Sequence, residues 1–192
     1  MPIHYRSTPA PSTTVGRLAI RSRVQYFRRE SAANPLVTFI DRLCPELIRV
    51  AAPWRTLDAT ARGLAEMLAR QRLLAEAAVD EAVRAVLARE AVQSTALLDV
   101  GAAVPHARLN GLAHASVGLA ITREGLYEAV PTVRVSIVAL VLSPHEAMDE
   151  HLQMLASIAT ALRSAELRAA LLSAPDPQRA HRSLLRHIHV PA

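Results

Sequence analysis

The chain contains no lysine. That absence removes the chemistries built on a lysine amine: a Walker A phosphate loop, a Schiff-base centre and a kinase-type ATP lysine. Cysteine is almost absent too. The single Cys44 has no internal disulfide partner, and Leu43-Cys44-Pro45-Glu46 offers no metal-ligand set, so the chain reads as a protein of a reducing compartment, the cytoplasm. The strongest apolar stretch, Val135 to Leu142, falls far short of the roughly 20 residues that a membrane-spanning helix needs. Prolines and arginines interrupt the N-terminus before any signal-like apolar run develops. Aromatic residues make up only 3% of the chain, so a core has to be built from closely packed Ala, Leu and Val.

What is present fits one globular domain with some extra length: 192 residues, 51% hydrophobic and 20% charged. The formal charge of +5 sits entirely in residues 1–49, where eight arginines face Glu30, Asp41 and Glu46. Residues 1–16 are rich in Pro, Ser and Thr, and Arg17 to Glu30 is arginine-rich. Residues 1–40 therefore read as a basic, flexible extension, a solvated arm in preference to a membrane-touching or nucleic-acid-touching segment. A folded domain follows over residues 41–192, with order setting in near Leu36.

Leu57, Ala61, Leu64 and Leu68 recur at helical spacing, as do Val79, Val83, Val86 and Leu87. Residues 94–106 read as short strands around a glycine turn, closed by a helix-breaking Pro105. Ala115 to Ile121 alternates like a half-buried strand, and Val133 to Leu142 is a β-branched run suited to one central strand. Ser143-Pro144-His145-Glu146 has the form of a capping box opening a helix, with Met148, Leu152, Leu155, Ala159 and Leu162 as its apolar stripe. Asp176-Pro177 predicts a second helix start. The order is helices, strands, helices: a single-domain α/β fold with a mixed sheet flanked by helices.

The chain has eight histidines. His181, His187 and His189 lack the Cys or carboxylate company of a metal site, and His114 and His145 fall at element edges where solvent is the expected partner. His106 stands apart. It follows Val104-Pro105 at a strand end, on stiff backbone. Arg89 precedes it at a helix end beside Glu90, Ser94 and Thr95 follow in a turn, and Arg108 comes two residues after it. Guanidinium groups, hydroxyls and turn amides are the groups that hold a phosphate. His151, between Glu150 and Leu152, either faces such a site or caps the core surface.

The ordered set Arg89-Glu90, Ser94-Thr95, Gly101, Val104-Pro105-His106 and, 45 residues on, His151-Leu152 with Leu155 resembles the type 2 enzyme IIA of the bacterial phosphoenolpyruvate-dependent phosphotransferase system. This fructose/mannitol class includes the nitrogen-related regulatory enzyme IIA. The resemblance spans residues 45 to 187. It implies the phosphotransferase/anion-transport-like fold and a phosphoryl carrier whose phosphorylated residue is His106. Arg89 would support the phosphoryl group and His151 would be the second active-site histidine. Ser94 and Thr95 would shape the phosphate pocket, to which the residues around His106, apart from the resemblance, add Arg108. The implied donor is a histidine phosphocarrier protein. The acceptor is an enzyme IIB or a regulated target, with no cofactor and no metal.

Two positions depart from the family's pattern. Ala107 stands where glycine often follows the active histidine, and Val130-Pro131-Thr132-Val133-Arg134 replaces an acidic or glycine-containing turn. With no enzyme IIB or membrane IIC segment in the chain, the expectation is the nitrogen-related regulatory branch. A sugar-transport subunit and a non-catalytic binding module are the alternatives.

Overall fold

The structure, a computed structural model, describes residues 37–188. The expected N-terminal extension lies outside the described residues except at its end. There Val37–Ile40 form a short helix, α1, with Phe39 and Ile40 buried in the core. His189 also lies outside.

After a 3-10 turn at Pro45–Leu47 comes strand β1, Ile48–Val50, then helices α2, Leu57–Arg70, and α3, Val79–Val92. Thr56 caps α2 by accepting the Ala59 amide at 3.1 Å, while Asp58 and Arg70 complement its two ends. The helix buries Ala61, Leu64 and Leu68 of the expected stripe together with Ala65, while Leu57 at its start is half-buried.

Gly63 interrupts that helix for a reason of space. A Cβ there would lie 2.0 Å from Trp54 Cζ2, so the indole can lie on the helix only because the position has no side chain. Gly63→Ala is expected to expel the ring at a cost of about 2 kcal/mol. Trp54 is the sole tryptophan, so denaturation followed by its fluorescence reads both the loss of stability and a red-shifted native emission. An unchanged native spectrum would contradict the packing.

The strands that follow are β2, Ala96–Leu97; β3, Ala102–Ala103; β4, His106–Leu109; β5, Ser116–Ile121; β6, Tyr127–Val130; β7, Val133–Val135; and β8, Ile137–Pro144. The main sheet runs β1-β5-β8-β3-β2 and is mixed: β5 is antiparallel to β8, while β3 and β4 are parallel to it. All residues of β5 and β8 are buried, so helices cover both faces of the sheet.

The half-buried reading of β5 is thereby corrected. Its alternate positions are Ser116, Gly118 and Ala120, small enough for the second face to pack as well. Gly118 lets Leu64 approach to 3.3 Å of where a Cβ would stand. The run Val133 to Leu142 is not one strand either. It breaks at Ser136, whose amide bonds Gly101 and whose carbonyl accepts from Thr122. The first part joins β6 in a separate hairpin and the second becomes the central strand.

Three helices close the chain: α4, Met148–Arg163; α5, Ala165–Ser173; and α6, Pro177–Ile188. The expected capping box at Ser143 is overturned. Ser143 and Pro144 end β8, paired with Arg108 and Leu109, and α4 begins four residues after Pro144 without a side-chain cap. Pro144 is tolerated because β5 begins at Ser116, opposite Leu142, so no ladder donor is needed on that side. The apolar stripe of α4 is corrected as well. The buried face holds His151, Met154, Ser157, Ile158, Ala161 and Leu162, while Met148 and Leu152 are exposed. Helix α5, capped by Ser164, was not expected from the sequence, whereas α6 starts as expected, with Asp176 accepting the Arg179 amide at 2.7 Å.

Candidate active site

Strands β3 and β4 are two pieces of one line along β8, broken at Val104-Pro105. Proline has no amide to give the ladder, but its carbonyl accepts from Val141 at 3.0 Å, so the break is short and anchored. His106 is the first residue past it. Its Nδ1 lies 2.9 Å from the Val104 carbonyl. A carbonyl only accepts, so Nδ1 carries a proton, and in the neutral ring Nε2 keeps the lone pair.

Beside it, the ring of His151 on α4 has its centroid 5.1 Å away at an interplanar angle of 61°. His151 is 6% exposed, and its Nδ1 lies 2.7 Å from Oγ of the fully buried Ser143. Burial, and then the neighbouring His106, Arg108 and Arg89, push the His151 pKa down to about 4, so this imidazole is neutral at pH 7.

Both rings open on a cleft of ≈ 510 Å³ whose lining includes Arg89, Arg108, Met148 and Leu152. Arg89 comes from the last turn of α3, where its Nη1 donates to the Gln93 carbonyl at 3.0 Å. Arg108 comes from β4 and is exposed, with Nη1 3.4 Å from the His145 carbonyl. The cleft thus combines a nucleophilic imidazole nitrogen with two guanidinium groups that make no ion pair among the described residues.

The fold therefore gathers His106, His151, Arg89 and Arg108. It does not bring Ser94 and Thr95 into the cleft lining. The Ser94 hydroxyl accepts the Ala96 amide at 3.2 Å. The amide and hydroxyl of Thr95 both bond the Glu90 carboxylate. These groups close the turn after α3, which is a local use that competes with phosphate binding.

Ser143 was concealed in the sequence by its apparent capping role, and the spacing of Met148 and Leu152 had pointed to core positions. His145 is exposed as expected but lines the cleft. His181 is tied to the Leu43 carbonyl at 3.0 Å. Among the described residues no group of three or more His, Cys, Asp or Glu could hold a metal ion, and no helix is long and apolar enough to cross a membrane.

A fructose-specific EIIA component of the phosphotransferase system from Haloferax volcanii is 29% identical over 100 residues, which is 52% of this chain. The chain spans 64% of that relative's length. The crystal structure of nitrogen regulatory protein IIA-Ntr from Neisseria meningitidis superposes with a TM-score of 0.64 at 26% identity, over 76% of this chain and 97% of that one. The IIA mannitol enzyme of Escherichia coli, in its complex with phosphorylated enzyme IIB mannitol, shares the fold with a TM-score of 0.61 at 20% identity, over 75% and 97% of the two chains. The family described as phosphoenolpyruvate-dependent sugar phosphotransferase system, EIIA 2, matches residues 45–187, and the chain belongs to that family.

Proposed function

We propose that the protein is a phosphoryl carrier whose acceptor atom is Nε2 of His106. The observation that carries this reading is the hydrogen bond from His106 Nδ1 to the Val104 carbonyl, which in the neutral ring puts the lone pair on Nε2, in a cleft lined by two arginines. In the transfer, the Nε2 lone pair forms a new N–P bond while the phosphorus–nitrogen bond to the donor breaks. The released electron pair returns to the donor's ring nitrogen. Phosphoryl transition states are loose, so positioning and positive potential are the protein's main contribution, and Arg89 and Arg108 supply the potential. The donor is a histidine phosphocarrier protein. The acceptor is an enzyme IIB, as in the complex of the mannitol relative, or a regulated target protein.

The likeness to IIA-Ntr favours a regulatory, nitrogen-related branch, while the Haloferax relative favours sugar transport as the second reading. Incubation with phosphoenolpyruvate, enzyme I and a phosphocarrier protein should add one acid-labile phosphoryl group to the intact mass. No gain, in a mixture that labels a control enzyme IIA, would sink the proposal. Chase of the labelled protein with a fructose-type enzyme IIB then decides the branch: rapid loss of the label points to transport, retention to regulation.

A further inference from the structure

Ser143 stands at the end of the central strand, away from solvent, and among the described residues its hydroxyl meets one hydrogen-bonding atom, Nδ1 of His151. Two arrangements fit that 2.7 Å contact. If Nδ1 carries the proton, it donates to Ser143 Oγ, and the serine O–H is left buried with no acceptor. If the serine donates, Nδ1 is satisfied through its lone pair and the proton of the neutral ring sits on Nε2. Stranding a buried donor is the costlier choice, so the second arrangement prevails.

The consequence reaches the cleft. Nδ1 is occupied on the Ser143 side, so the other ring nitrogen, Nε2, is the one left to serve the cleft that His151 lines with His106. A neutral imidazole presents there either an N–H or a lone pair, and the two act oppositely on a phosphoryl dianion: the N–H donates to an oxygen, while the lone pair repels it.

We infer that Ser143 is a positioning residue that fixes His151 with its proton on Nε2, so that His151 donates a hydrogen bond to the phosphoryl group on His106. The inference rests on the carrier reading above for its second half only. The tautomer itself belongs to the free protein.

Two measurements test it. A long-range ¹⁵N–¹H correlation spectrum of the imidazoles at pH 7 should show His151 of the wild type as the Nε2–H tautomer and Ser143→Ala as a mixture. The fraction of protein phosphorylated at equilibrium with a phosphocarrier protein should correspond to an equilibrium constant about tenfold lower in Ser143→Ala. Ser143→Thr, which keeps the hydroxyl, should restore both readouts. An Nδ1–H tautomer in the wild type overturns the inference outright, with no dependence on how any variant folds. A folded Ser143→Ala with wild-type tautomer and wild-type equilibrium overturns it as well. If the wild type shows the Nε2–H tautomer yet takes no phosphate, the carrier reading fails. The phosphoryl half of the inference falls with it, and the assignment of the proton stands.

Discussion

Alanine in place of His106 is expected to abolish phosphoryl labelling, a loss on the order of 10³-fold or more, because it removes the proposed attacking lone pair. Of the other two imidazoles that line the cleft, His151 is buried with Nδ1 bound to Ser143, and His145 is exposed, outside the tautomer-fixing contact that prepares His106. Arg89→Ala should slow labelling by about 10- to 100-fold, the value of one charge-assisted bond to the transferring group. That ratio also weighs the free-state bond from Arg89 to Gln93, which has to yield when phosphate arrives. Rapid-quench measurement of label incorporation separates the two variants: His106→Ala lacks the signal, and Arg89→Ala reaches it late. Label that survives in His106→Ala would move the acceptor elsewhere.

The second large effect is on stability in acid. An unfolded histidine titrates near 6.5, whereas His151 in the fold is held down at about 4 by burial and by its cationic neighbours. Between those values the unfolded chain binds a proton that the folded chain refuses. The unfolding free energy therefore falls as pH drops from 6.5 to 4, by about 3 kcal/mol in all from this one group. Above pH 6.5 the contribution is complete and flat. His151→Gln, which cannot titrate, should lose this slope. Urea denaturation at half-unit steps between pH 7 and 4.5 gives the comparison. Parallel curves for the wild type and His151→Gln would mean that the ring is solvated and charges freely, contrary to its 6% exposure.

Much of the cleft's lining was legible because its signals are local. A proline before His106 and arginines at Arg89 and Arg108 can be found by inspection, and family order singles out His151. What stayed hidden depends on partners distant in sequence. Ser143-Pro144 has the composition of a helix start, yet its backbone is claimed by β4 and its hydroxyl by a ring eight residues later. The stripe on α4 misled for a similar reason. Met148, Leu152 and Leu155 recur as regularly as Met154, Ile158 and Ala161, and only the sheet decides which set is core. Ser94 and Thr95 have the chemistry of phosphate ligands, and Glu90, five residues before Thr95, has taken the threonine's hydroxyl and amide for the turn. In the strands, small residues at alternate positions of β5 looked like a solvated face. They are the means by which a second layer of helix comes close.

The exposed Met148 and Leu152 gain a role from this account. They line the cleft with Arg108, and on the proposed reading their exposed apolar area would meet a partner protein carrying the phosphoryl group. The same placement explains why an imidazole so close to solvent at His106 stands next to one so well shielded at His151. On the proposed reading the first would meet a partner protein, while burial keeps the second neutral near two arginines.

The claim at the centre of this account is atomic: phosphate enters on Nε2 of His106 because Nδ1 is held by the Val104 carbonyl. Phosphorus NMR of the enzymatically phosphorylated protein, with ¹⁵N-labelled histidine to identify the bonded nitrogen, tests it most directly. The account predicts one phosphohistidine, coupled to Nε2 of His106 and absent in His106→Ala. Phosphorus bonded to Nδ1, or to any other histidine, would contradict it.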